Sequence, residues 1–102
     1  MAKGNMMLQA RRMQSQIQKL QTELSEQSFT GGAGGGLVTV IADGRQKIRK
    51  IDINPEAIDP EDLDELADLV TAAVNMAVQA SLSHSRAEMK KITGGLALPG
   101  ML

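Results

Sequence analysis

Arg11 and Arg12, with Lys3 and Lys19, are the only charged residues between Met1 and Thr22. Arg45, Lys47, Arg49 and Lys50 form a second cationic block, and Arg86, Lys90 and Lys91 a third. Clustered guanidinium and ammonium groups suit polyanions, because each can neutralise a phosphate and release its condensed counterion. An acidic run of Asp52, Glu56, Asp59, Glu61, Asp62, Asp64, Glu65 and Asp68 separates the last two blocks. The 102 residues carry a net charge of only −1. Salt confines charge effects to about 8–10 Å, so a nearly neutral chain can still present a positive face if its fold gathers the blocks.

Other reactive groups do not assemble into a site. His84 is the single histidine and cysteine is absent, which leaves neither a nucleophile–base pair nor a His- or Cys-based metal site within one chain. His84 reads as a polar surface residue. The run Gly31-Gly32-Ala33-Gly34-Gly35-Gly36 lacks the Gly-Lys-Ser/Thr of a P-loop and leads into a strand, so it reads as a flexible connection. Helix capping and solvation account for the acidic run better than cation chelation does. No enzymatic activity, cofactor, metal or small-molecule substrate is expected. Nothing after Lys3 resembles an apolar leader, and no run approaches about 18 consecutive apolar residues, so neither a signal peptide nor a membrane span is expected.

The elements that must position the basic blocks follow from apolar spacing. Met6, Ala10, Met13, Ile17, Leu20 and Leu24 recur alternately at four and three residues, which lays a narrow coiled-coil seam along a helix from Asn5 to Glu26. The glycine cluster ends it. Leu37–Ala42 and Lys47–Ile53 are β-rich runs about Asp43-Gly44, predicting a hairpin, with Ser28–Thr30 as a short third strand. Asp59-Pro60-Glu61 reads as the N-cap and first turn of a second helix that stops at Gly94-Gly95. Between Leu66 and Ala80 small apolar residues lie on every side of that helix, more than one sheet can cover. A second copy of the chain is the simplest cover, with Leu66, Val70, Ala73, Val74 and Ala77 as the dimer interface. One aromatic residue in the whole chain also leaves the core of a lone protomer thin.

Helices of about 33 and 50 Å overrun strands of about 20 Å. Their free ends can pair antiparallel through the first seam and a second one, Val78, Leu82, Ser85, Met89 and Ile92. That builds a protruding arm carrying Lys3, Arg11, Arg12, Lys19, Arg86, Lys90 and Lys91, with the acids held back near the sheet. The helix dipole explains bases at the C-terminus of the second helix, but it disfavours bases in the N-terminal half of the first. Arg11, Arg12 and Lys19 therefore stand out as residues under functional demand. Arg45, Lys47, Arg49 and Lys50 either blunt an exposed sheet edge or make a secondary contact near the arm's base.

The stretches Met6–Gln14, Gly34–Val40, Ile51–Pro55 and Leu66–Ala73 resemble, in order and over nearly the whole chain, the YbaB/EbfC family of bacterial nucleoid-associated proteins. The resemblance implies an α+β fold, a homodimer of α-β-β-β-α protomers whose small antiparallel sheet carries two long helices projecting as an arm. It also implies DNA binding without catalysis, and a place in the cytoplasm on the bacterial nucleoid. Residues 1–95 form the expected single domain and residues 96–102 a flexible tail. Double-stranded DNA is the expected partner, held largely without regard to sequence: phosphate contacts are sequence-blind, and there is no Tyr or Trp on which RNA bases could stack. The competing expectation is a helical protein–protein adaptor using the Met-rich seams.

Overall fold

A computed structural model describes residues 2–94, with side chains from Gly4 onward. Helix α1 (Ala2–Glu26) is followed by strands β1 (Ser28–Ala33), β2 (Val38–Asp43) and β3 (Ile48–Ile53). A 3-10 turn at Pro55–Ala57 then leads to helix α2 (Leu63–Thr93). The strands form one antiparallel sheet in the order β1-β2-β3. This is the α-β-β-β-α order that the family resemblance implied, and β1 is longer than the short strand expected.

Alternation along β2 sets the core. Val38, Val40 and Ala42 are buried while Thr39 and Ile41 are half-buried, as the two-residue period of a strand requires. Paired residues of an antiparallel ladder share a face, and Val40 lies opposite Gly31 on β1 and Ile51 on β3. Helix α2 crosses that face over β1 and β2, where Ala73 and Ala77 close the core against Val38, Val40 and Ala42. Strand β3 stays uncovered: Ile51 is 43% and Ile53 38% exposed on the face that is buried one strand away.

Three expectations are corrected. The glycine cluster is not a loose connection: Gly31 and Gly32 lie within β1, and Gly34, Gly35 and Gly36 make the β1–β2 turn at positive φ. Helix α2 is capped by Asp62, whose carboxylate accepts the Glu65 N–H at 3.1 Å, and not by Asp59. Asp59 instead closes its own turn around Pro60, accepting the N–H of Glu61 on its side chain and that of Asp62 on its carbonyl. The third concerns Ala73 and Ala77. Both are fully buried within one chain against the sheet, so they have no surface left for a dimer, whereas Leu66, Val70 and Val74 remain half-buried. The end of α2 is where glycine placed it, with Gly94 at φ 65° donating its N–H to the Lys90 carbonyl.

Buried positions of α2 advance in four-residue steps through Ala73, Ala77, Ser81, Ser85, Met89 and Thr93. Four exceeds the 3.6-residue helical repeat, so this line winds around α2 from the sheet onto α1. There Met89, with Ile92 beside it, packs on Ile17, Leu20, Leu24 and Met13, and the two helices run antiparallel. Ser81 is buried where the expected seam had Val78 and Leu82, which are half-exposed. The fold measures 71 × 21 × 17 Å, and α2 ends before α1 begins: Gly4–Arg12 are exposed throughout, Met6 by 67%. An 18-residue window of α2 reaches the mean hydropathy (1.2) of a membrane span, but the sheet packs on the helix, and Asp68, Asn75 and Gln79 mark its open side.

Candidate nucleic-acid interface

The antiparallel pair has two sides, which differ in charge. On one side, Gln16, Lys19, Leu20 and Glu23 of α1 face Glu88, Lys91 and Ile92 of α2 across an open groove of about 220 Å³. Lys91 donates to Glu88 at 2.9 Å, and this bond, against a smaller desolvation effect, holds the Glu88 carboxyl below its ordinary value. Remote blocks therefore do converge, Lys19 with Lys91. Acids converge with them, contrary to the expectation that they stay near the sheet.

Arg11 and Arg12 lie on the overhanging turns of α1, exposed to solvent. Among the described residues no ion pair engages Arg11, Arg12, Lys19, Arg86 or Lys90. The side chain of Lys3 lies outside the described residues, as do residues 95–102. Helix α1 has no acid in its first turn and no base in its last. Its cations Arg11, Arg12 and Lys19 thus gain nothing from the helix ends, and no partner among the described residues offsets their charge.

The base of the arm is a polar junction that sequence reading took for a simple turn. Asp43 is 2% exposed, and its carboxylate accepts the N–H groups of Arg45 at 2.8 Å and Lys47 at 3.1 Å and a two-pronged contact from Arg49 at 2.8 and 2.9 Å. Next to it, the Gly44 N–H donates to the Leu24 carbonyl of α1 and the Ser81 hydroxyl of α2 donates to the Asp43 carbonyl at 2.6 Å. Gln46, at φ 65°, reaches Ser81 and Ser85 with its side-chain amide. One turn therefore ties both helices to the sheet. Serines four residues apart on an otherwise apolar seam were the available signal.

Burial raises the Asp43 carboxyl, but the Lys47 and Arg45 amides and the Arg49 guanidinium together pull it below its ordinary 3.8. The folded state thus releases this proton more readily than the unfolded chain, and the stabilisation is present above 3.8 and lost as pH falls through the lower folded-state value. Acid unfolding followed by circular dichroism should show this loss below 3.8, and Asp43→Asn should lower stability at neutral pH while flattening that part of the profile.

The hairpin bases divide accordingly. Arg49 is committed to Asp43, and Lys50 lies 3.5 Å from Asp52 in an exposed pair of little energetic weight. Arg45 and Lys47 are exposed and, among the described residues, unpaired. With Ser25, Asp43 and Arg49 they line an open cleft of about 340 Å³. His84 is half-buried with its ring 5.2 Å from that of Phe29, and is not the surface group expected.

Comparison with known proteins agrees with this architecture. A model of the YbaB/EbfC DNA-binding family matches residues 1–96. A protein of Clostridium novyi named as nucleoid-associated is 50% identical over 98 residues, covering 96% of this chain and 86% of its own. One from Myxococcus xanthus with the same description is 46% identical over 93 residues, covering 91% and 89%. The solved structure of an uncharacterised Helicobacter pylori protein, HP0035, shares the fold with a TM-score of 0.72 at 20% identity, over 84% of this chain and 89% of that one. With its full-length match, its close relatives and its two-helix arm on a three-stranded sheet, the chain belongs to the YbaB/EbfC DNA-binding family.

Proposed function

We propose that this protein is a nucleoid-associated homodimer that binds duplex DNA through its helical arm, largely without regard to base sequence, and influences nucleoid organisation and gene expression by occupying DNA. The observation that carries this reading is the set of exposed cations on α1, Arg11, Arg12 and Lys19, which pair with no acid among the described residues. Arg86, Lys90 and Lys91 add to the same arm from α2. Such groups bind phosphates by counterion release, so log K should fall with log [salt] by about 0.9 per phosphate contacted. Titrating a labelled duplex between about 50 and 200 mM salt should show a steep decline shared by unrelated sequences. An affinity that ignores salt would favour the adaptor reading instead. Against that reading, the two seams pack on each other through Ile17, Leu20, Leu24 and Met89, so their central part is already used within one chain.

Dimer formation in this reading covers the apolar face that one chain leaves open. Ile51 and Ile53 continue the core-facing side of the sheet, and Leu66, Val70 and Val74 flank it on α2. Replacing Ile51→Asp and Ile53→Asp should halve the mass measured by light scattering, since a buried unpaired carboxylate opposes association. A persisting dimer would place the interface elsewhere.

A further inference from the structure

We infer that duplex DNA lies against one side of the arm only, the acid-free side carrying Arg11, Gln18, Arg86 and Lys90, and that Arg45 and Lys47 at its base hold a backbone phosphate in the cleft beside Ser25. This deepens the DNA-binding reading and rests on it.

Arg11, Gln18 and Ser25 are seven residues apart in α1, nearly two full turns each, so they line one strip of the helix. Gln16, Lys19 and Glu23 line the groove on the other side of the seam. On α2 the same division holds. Met89 faces α1; Glu88 leaves the seam towards that groove, and Lys90, with Arg86 four residues earlier, leaves it the other way. The two sides of the pair are thus unequal. The groove itself is lined by Lys19 and Lys91 against Glu23 and Glu88, two charges of each sign, with Arg12, seven residues before Lys19, on the same side beyond it. The other side holds Arg11, Arg86 and Lys90 with Gln14, Gln18, Thr22, Gln79 and Ser83 between them, and no carboxylate among these positions.

Ser25 ends that strip and lines the cleft with Arg45 and Lys47. The carboxylate in the cleft, Asp43, is already saturated by the Arg45 and Lys47 amides and the Arg49 guanidinium, so the exposed charge of Arg45 and Lys47 is not spent on it. From Arg11 to Ser25 the strip runs about 21 Å, which matches roughly six base-pair steps of a duplex laid along the arm. A continuous cationic, hydroxyl- and amide-bearing strip of that length fits a chain of phosphodiesters. Alternating charges on the groove side do not.

Two sets of variants test this, all at exposed side chains. Arg45→Ala with Lys47→Ala should melt like the native protein yet lower the magnitude of the log K against log [salt] slope by about 0.9 per arm engaged, because one phosphate is no longer neutralised. Gln18→Glu should weaken duplex binding several-fold, whereas Gln16→Glu, an equal change of charge on the groove side, should weaken it much less. A native slope in the double alanine variant, or equal weakening by the two glutamates, would overturn the assignment while leaving DNA binding intact. Inorganic tripolyphosphate, titrated by NMR, separates a free anion from a backbone phosphate: tight binding that vanishes in the double variant, with DNA binding unaltered, would also overturn it. Absence of any duplex binding by the native chain would defeat the broader reading and this one together.

Discussion

Reversing Arg11→Glu and Arg12→Glu together is expected to weaken duplex binding by more than about tenfold near 0.15 M salt, on every sequence tried, and to flatten the salt dependence. Adjacent residues leave a helix about 100° apart, so whichever side of the arm meets DNA, at least one of the two is near it. Each reversal removes an attraction to phosphate and introduces a repulsion. What makes the experiment decisive is that stability should not fall with affinity. Both residues are exposed on the overhanging turns of α1, where no side chain of the sheet or of α2 covers them. The helix dipole, worth about 0.3–1 kcal/mol per charge, acts within the first and last turns, and Arg11 and Arg12 lie beyond the first turn of α1. The variant should therefore melt near the native temperature while losing DNA. Fluorescence anisotropy with a labelled duplex, paired with a thermal melt, reads both. Unchanged affinity in a well-folded variant would remove Arg11 and Arg12 from the interface.

That separation between folding and binding is why α1 could be read from its sequence. Its seam residues Met13, Ile17, Leu20 and Leu24 obey packing, and they are buried or half-buried as spaced. Its cations obey nothing local, and this alone marked them. Where local rules and function coincide, as with Lys90 and Lys91 at the end of α2, residue type carries no such mark. Only the fold shows that Lys91 is paired to Glu88 while Lys90 is not. The same holds at the arm's base. Asp43-Gly44 was legible as a turn, but its burial, its bonds to three hairpin residues, and the ties from Leu24 and Ser81 join positions up to 38 residues apart. Spacing along one element cannot report contacts made between elements. Helix α2 shows the limit most sharply: with small apolar residues all round, periodicity could not say which side meets the sheet, so Ala73 and Ala77 were assigned to a partner when the protomer itself uses them.

Gly31→Ala is expected to be among the most destabilising single methyl additions available in this chain. A Cβ at Gly31 would collide with the Ala73 carbonyl oxygen, lie 2.6 Å from the Ala77 nitrogen and 3.0 Å from the Met76 Cβ. The first two are main-chain atoms of α2, which cannot rotate aside as a side chain would. Helix and strand must separate, and separation opens the core that Ala73 and Ala77 close over Val38, Val40 and Ala42. Overpacking of this kind costs roughly 1–3 kcal/mol and occasionally more, and a backbone obstruction belongs at the upper end. Against a total stability of about 5–15 kcal/mol, this is a large fraction. Gly32→Ala is the matched control: its Cβ would meet only the Val38 carbonyl oxygen, at an ordinary 3.7 Å. Urea midpoints for the two variants should differ by an amount equivalent to about 2 kcal/mol or more, with Gly32→Ala near native. Equal midpoints would mean that α2 does not rest on bare β1 backbone. The consequence reaches function, because α2 carries one half of the arm and β1 is the surface that aims it. At temperatures where Gly31→Ala is still folded, its DNA affinity should fall although no DNA-facing charge has changed, and Gly32→Ala should bind as the native protein does.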